Sequence, residues 1–385
     1  MSPEAIDRAA SAPVLFLDAL KSRVTIASLE LLRNGKVFLV RARSTDGAEG
    51  LAVPNADRLI HTYPIFLDLV APQFIGKDAR DLESLIDQVY RWQSNYKLQG
   101  LAFWVCVAAA EFAILDLLGR LAGKSVGDLL GGVRRRDVAV YRASGNRGNT
   151  PREEVEHLKK LVAETGCKAI KFRVGGRLSN NQDSLPGRSE ALIPLVRETF
   201  GEKLALYADS NSSYDARKAI EIGRLMERHR YGFFEEPCRF DHHEETKEVA
   251  DALDLPIAGG EQESSLYRFR WMVLHRGVDI AQPDLHYFGG FIRCLRVARM
   301  ANAAGMPCTL HMSGSGLGYL DVIHFASCIE DPGPYQEFKG ESEVPLACAT
   351  SSLRCENGVV RVPSGPGFGV DIEADFVRRA ERVRA

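Results

Sequence analysis

The feature that most constrains this chain is a rhythm between residues 137 and 338, in which short apolar runs alternate with longer amphipathic ones. Apolar runs occupy Asp137–Ala143 (DVAVYRA) and Ala169–Val174 (AIKFRV). Others end at Asp209 (KLALYAD), Glu235 (YGFFE), Glu261 (PIAGGE), Asp284 (VDIAQPD) and His311 (PCTLH). Helical patterns fill the gaps, among them Thr150–Gly166, Asp215–His229 and Phe291–Ala304. The first carries its own start signal: Thr150 as N-cap, Pro151 in the first turn and Glu153 completing a capping box. One longer insertion, Gly175–Ser189, is rich in Gly, Asn and Ser and reads as a loop. Repeated strand–helix units form a parallel sheet with right-handed crossovers. About eight strands in roughly 200 residues predict a closed α/β barrel rather than an open sheet.

The flanks lack this rhythm. Residues 1–20 carry no clear pattern. Residues 36–43 (KVFLVRAR) read as a strand and residues 78–98 as amphipathic helix, whereas residues 104–121 are apolar nearly all round and predict a buried helix. Leu129–Gly132 (LLGG) marks a helix stop and a domain junction. After residue 340, Asn357–Gly358 makes a turn and PSGPGFG a Pro/Gly loop. The chain divides into an N-terminal α+β domain (1–132), a barrel (133–340) and a tail (341–385) expected to pack back on the N-terminal domain.

Composition narrows the function classes. With 49 Lys and Arg against 51 Asp and Glu, the net charge is −2, so no broad basic surface is available for nucleic acid. The most apolar stretch, Leu101 to Leu118, is interrupted by Glu111 and Asp116, which argues against a membrane span. Met1 to Ala12 lacks the pattern of a secretory signal. The 8 cysteines contain no Cys-x-x-Cys pair, so they read as reduced thiols rather than a zinc or redox motif. A cytoplasmic enzyme is the expectation.

The chemistry lies in position. Asp209, Glu235, Glu261, Asp284 and His311 each sit at the C-terminal end of a predicted strand, spaced by about one strand–helix unit. In an α/β barrel those ends share one rim, where active sites form. Three carboxylates on adjacent strands supply hard oxygen ligands for Mg2+ or a similar cation. A divalent ion would also relieve their mutual repulsion.

These residues and their surrounding motifs resemble the enolase superfamily, mandelate racemase subgroup. The resemblance rests on AEFAILDLLGRLAGKSVGDLLGG (Ala110–Gly132), FFEEP (Phe233–Pro237), GGEQ (Gly259–Gln262), QPDL (Gln282–Leu285), His311 and the tail PSGPGFGV, in order and spacing. It implies a modified TIM barrel, (β/α)7β, with an N-terminal α+β capping domain completed by the C-terminal tail. It implies one Mg2+ per subunit, held by Asp209, Glu235 and Glu261. It further implies abstraction of the proton alpha to a carboxylate through a metal-stabilised enediolate, with His311 and Asp284 as the acid/base dyad. Glu337 matches a position that, when protonated, donates a hydrogen bond to the substrate carboxylate. Asn211 matches a polar position facing the substrate, or else caps the next helix. A homo-oligomer, dimer or octamer, and a small carboxylate substrate also follow from the resemblance.

Strand two departs from the pattern. The family has Lys-x-Lys, the second lysine being the base on the opposite face, whereas this chain has Lys171-x-Arg173. Arginine stays protonated in proteins, so Arg173 is a poor base and a better electrostatic stabiliser or carboxylate clamp. Lys171 is expected to point at the site. A racemase needs two proton carriers and a dehydratase can use one, so dehydration of a sugar acid to a 2-keto-3-deoxy acid is favoured. The alternatives are a racemase or epimerase of a 2-hydroxy acid and, from a different class, a non-catalytic binding barrel. Specificity is expected from residues 20–35 and 50–65 and from strand-end residues such as Arg142, Ser144 and Asn146.

Overall fold

The computed structural model describes residues 2–314 and 317–384. Near the N-terminus, β1 (Ile26–Asn34), β2 (Val37–Ser44) and β3 (Glu49–Ala52) form an antiparallel sheet. Against it packs the helix Leu101–Ala122. By length and composition this helix could cross a membrane, Glu111 and Asp116 notwithstanding. It is core instead, with 89% of its apolar window buried.

The barrel follows. Its strands are β4 (Asp137–Ala143), β5 (Ala169–Arg173), β6 (Ala205–Asp209), β7 (Phe233–Glu235), β8 (Ile257–Gly259) and β9 (Ile280–Ala281), paired in parallel and in sequence order. The seventh staff is reduced to two bridges, Ala281 to Cys308 and Asp284 to His311. β10 (Gln336–Phe338) then pairs in parallel with β4 and closes the ring. Every residue of β5, β7 and β8 is buried, as expected of strands covered on both sides. Alternation does the sorting. Ile170, Phe172, Leu206, Ala208 and Phe234 join the main core, while Tyr141, Tyr207 and Phe233 cluster separately. Tyr207 stacks on Phe233 with centroids 4.0 Å apart, and Tyr141 meets them edge-on, plugging the barrel beneath the rim.

Helix starts and stops follow the local signals. The helix Pro151–Thr165 has the capping box of Thr150 and Glu153 and ends on Gly166. Asp215, not Asn211, caps Ala216–Arg228.

The two interrupting carboxylates of Leu101–Ala122 tie that helix to the barrel and to the tail. Glu111 accepts the backbone N–H of Phe291 (2.6 Å) and Ile292 (3.0 Å), capping a barrel helix. Only glycine fits at 290, where a Cβ would lie 1.7 Å from Glu111 Oε2. Asp116 accepts from the backbone of Leu51 and Phe368 and from Arg120, joining sheet, helix and tail. The termini differ from the simple division by sequence. Pro3–Ser11 is a helix that buries Ile6 and whose Asp7 pairs with Arg270 of the barrel. The tail is shared: β11 (Leu346–Ala347) pairs with β14 (Asp371–Ile372), β12 (Cys355–Glu356) turns at Asn357–Gly358 into β13 (Val359–Arg361), which pairs with β4, and β15 (Glu381–Arg382) adds to β1.

His324, buried in Gly318–Cys328, donates from Nε2 to the Phe368 carbonyl and so anchors the tail. Burial pushes its pKa down to about 4 from 6.5. The unfolded chain takes up this proton below pH 6.5, and the folded protein only near pH 4. The contribution is therefore whole above pH 6.5 and lost as pH falls through 4, by about 3 kcal/mol. Urea unfolding from pH 7 to 4 should show this decline and His324→Gln should flatten it; identical slopes for the two proteins would exclude His324 as the source.

Candidate active site

The parallel register sets the site. Arg173 pairs with Asp209 and Asp209 with Glu235, so these three side chains stand in one row at the rim. Glu261 arrives two residues past β8, after Gly260 turns the chain at φ +116°, a conformation that favours glycine. Carboxylate oxygens of Asp209, Glu235 and Glu261 lie within 4.8 Å of one another, all buried. Glu261 Oε2 is buried without a hydrogen bond. Three buried hard-oxygen donors, one of them unsatisfied, fit a divalent cation of the Mg2+ type.

Strand two supplies the neighbouring positive charge. Lys171 Nζ lies 2.7 Å from both oxygens of Glu235 and 3.0 Å from Glu337 Oε1. Burial works against its charge, but Glu235 and Glu337 hold the ammonium above its ordinary pKa. Arg173 pairs with Asp209. Both expected site cations thus face the rim, as ions.

The dyad is fully braced. His311 Nδ1 lies 2.8 Å from Asp284 Oδ2. The other oxygen of Asp284 accepts from the backbone of His286 (2.8 Å) and Tyr287 (2.9 Å) and from Ser313 Oγ (2.9 Å). Ser313 in turn accepts from Asn55 Nδ2 at 3.0 Å, so the capping domain reaches the dyad. Burial alone would raise the pKa of Asp284; its bond to His311 and that ring's charge hold it below the carboxylate range. His311 Nε2 is left facing Glu261 Oε2 at 3.2 Å, Lys339 Nζ at 3.4 Å and Glu337 Oε2 at 3.9 Å.

Glu337 is the position expected to donate to the substrate carboxylate when protonated. Burial favours the neutral acid, but Lys171, Lys339 and His311 hold it well below the usual range, and it accepts the Met312 N–H at 2.7 Å. It is an ionised acceptor here. Glu236 is the opposite case: burial, then the charges of Glu261 and Glu235, push it well above the usual range. Asn211, at φ +42°, donates to Asp209 and accepts from Arg147. Two of the expected specificity residues point elsewhere. Arg142 lies over Phe338 and Ser144 bonds the buried Glu154. Asn55 comes from the expected segment 50–65, and residues outside the sequence-based set also join the site: Lys339, Ser313 and Gln282, whose Nε2 donates to Glu235 at 3.0 Å. Lys339 and Ser313 each follow a predicted site residue by two positions, and period-two alternation could have found them.

The architecture and the site have known counterparts. The description "Enolase C-terminal domain-like" matches residues 153–376, and "Mandelate racemase / muconate lactonizing enzyme, N-terminal domain" matches residues 17–131. The chain belongs to the mandelate racemase/muconate lactonizing enzyme group of the enolase superfamily. Among relatives, the arabinonate dehydratase of Saccharolobus solfataricus is 28% identical over 307 residues, 79% of each chain. The D-galactarolactone cycloisomerase of Agrobacterium fabrum is 28% identical over 91% of this chain and 92% of its own. A mandelate racemase/muconate lactonizing protein from Paracoccus denitrificans, solved with magnesium, superposes with a TM-score of 0.82 at 26% identity, covering 94% and 99% of the two chains. A Roseobacter denitrificans protein provisionally assigned as a racemase has a TM-score of 0.86 at 36% identity, covering 93% and 99%. The mandelate racemase-group chain described here is thus an enzyme of the superfamily, with relatives that are dehydratases and a cycloisomerase.

Removing Lys171 would leave Glu235 and Glu337 buried without their cation. Lys171→Met is expected to destabilise the protein in chelator by about 3 kcal/mol, read by urea unfolding; a loss under about 1 kcal/mol would mean that the carboxylates are neutralised another way.

Proposed function

We propose that this chain is a Mg2+-dependent acid-sugar dehydratase, converting an aldonate or aldarate to a 2-keto-3-deoxy acid. The observation that carries the reading is a single imidazole braced by a carboxylate and facing the metal triad. His311 is braced at Nδ1 by Asp284 and turns Nε2 to the rim beside Glu261 and Lys339, whereas Lys171 and Arg173 are both cations held by carboxylates. The relatives named arabinonate dehydratase and D-galactonate dehydratase support the same class.

Asp209, Glu235 and Glu261 would hold the cation. When bound, it supplies Lewis-acid stabilisation of the charge that develops on the substrate carboxylate. The chain does the rest. His311 Nε2 takes the alpha proton as the C–H bond breaks, and the electron pair moves into the carboxylate. Asp284, accepting the Nδ1 proton, fixes the tautomer that leaves Nε2 basic and stabilises the imidazolium. The pair then returns to expel the β-hydroxyl, which takes the Nε2 proton and leaves as water. The remaining enol becomes the 2-keto acid. One imidazole serves both transfers, so the elimination is syn. Lys171 and Lys339 stand near the developing negative charge.

A second reading, a racemase or epimerase, is favoured by the Roseobacter neighbour at 36% identity. It requires Lys171 to give up its ion pairs and carry a proton on the opposite face. Turnover in D2O separates the two: exchange with inversion and no keto acid belongs to a racemase.

Purified protein with Mg2+ should release a 2-keto acid from at least one member of a sugar-acid library, detected as the semicarbazone. A complete library yielding only exchange or epimerisation would overturn the proposal. His311→Asn should lower kcat by at least 1000-fold while its melting curve stays that of the parent. Mg2+ at 100 times its Kd should stabilise the parent by about 2.7 kcal/mol, and Glu235→Gln should remove most of that gain. Equal stabilisation of parent and variant would take the triad out of the metal site.

A further inference from the structure

The metal triad and the dyad leave one group of charges unused. Arg147 lies on the segment after β4 and Arg177 on the loop after β5. Both guanidinium groups turn to the same acceptor, Asn211 Oδ1, at 2.6 and 3.3 Å. Among the described residues that amide is each arginine's only side-chain hydrogen-bond partner, and neither forms an ion pair. Arg147 Nε is buried with no hydrogen-bond partner among the described residues.

The neighbouring arginines are accounted for. Arg188 donates to the carbonyls of Asn149, Arg173 and Asn146, and Arg173 pairs with Asp209. They add positive charge around Arg147 without neutralising it. Burial and then the like charges of Arg173, Arg177 and Arg188 push the pKa of Arg147 down to about 9. Two guanidinium groups converging on one neutral oxygen, in a partly buried corner, form a site lacking its anion.

Its place on the rim indicates which anion. The Asn211 amide joins the corner to the metal ligands, since its Nδ2 donates to Asp209 Oδ2 at 3.2 Å. The corner therefore lies within the length of one small molecule from the triad. It stands over β4, β5 and β6, while Asp284 and His311 stand on the sixth and seventh staves across the ring. The carboxylate next to the reacting carbon belongs with the triad and His311. An acid with a second charged end would reach the arginines.

We infer that Arg147 and Arg177 bind a second anionic group of the substrate, so that the preferred substrate is a sugar acid charged at both ends. This rests on the sugar-acid reading of the same site. A carboxylate and a phosphate share the chemistry that a guanidinium pair recognises.

Binding tests it without turnover. Full-length His311→Asn protein loaded with Mg2+ would be titrated calorimetrically with glucarate and galactarate, with gluconate and galactonate, and with 6-phosphogluconate. At least one doubly charged acid should bind 10-fold or more tightly than its monoacid. Arg147→Gln and Arg177→Gln, each checked for an unchanged melting curve and Mg2+ response, should each cut that preference by 5-fold or more. Preference for the diacids assigns the corner to a carboxylate, and preference for 6-phosphogluconate to a phosphate. Equal binding of mono- and doubly charged acids, no binding by any, or a preference that survives both substitutions overturns the inference. Because the readout is affinity, failure to find a 2-keto acid product would sink the dehydratase reading while leaving this result to stand by itself.

Discussion

The structure turns on like charges that parallel strands force together. In a closed parallel barrel every strand ends at the same rim, so Asp209, Glu235 and Glu261 cannot avoid one another. Within a buried rim such repulsion is severe, and the neutral alternative is available to only some of them. Glu236 takes that route, pushed toward protonation by burial and its two neighbours. Two of the three are met by cations from strand two, Glu235 by Lys171, which also reaches Glu337, and Asp209 by Arg173, while Glu261 faces His311. The acidic rim and its basic neighbour are one electrostatic unit, and the divalent ion we propose would be its third member.

The same constraint gives His311 its role. Asp284 spends one oxygen on the imidazole and the other on two backbone N–H groups and Ser313. A carboxylate so occupied cannot turn, so the ring cannot either. The capping domain contributes directly, through Asn55 and Ser313, and also through Arg58, which donates to Tyr287. Two carboxylates that interrupt an otherwise apolar helix hold the parts together: Glu111 joins the capping domain to the barrel and Asp116 joins it to the tail. Their burial is tolerated because each accepts backbone N–H groups that would otherwise be orphaned.

Much of this was legible beforehand. Strand ends could be read because buried parallel strands are continuous apolar runs that stop at a charge. The capping box of Thr150 was visible because it is a three-residue signal needing no distant partner. Residues 1–20 were not legible, since the helix Pro3–Ser11 is held by one buried isoleucine and an ion pair to Arg270, far away in sequence. The ionisation of Glu337 was hidden for the same reason: it is decided by Lys171 and Lys339, one on a strand across the closing seam and the other two residues along its own. Arg142 and Ser144 were misread because a residue at a strand end may face in or out, and theirs face out, onto Phe338 and Glu154.

By itself, the sequence determined the barrel and put Asp209, Glu235, Glu261, Asp284 and His311 at strand ends, because periodicity and spacing are local properties that closure then brings together; its motifs carried the family resemblance. It also determined that Arg173 stands where a lysine base is usual. Tertiary structure alone decided how those groups are charged and which neighbours brace them. Ionisation depends on burial and on the sum of nearby charges, and those distances exist only once the ring has closed. The Asn55–Ser313–Asp284 chain and the converging pair of Arg147 and Arg177 belong to that second kind: contacts between segments that no local pattern connects.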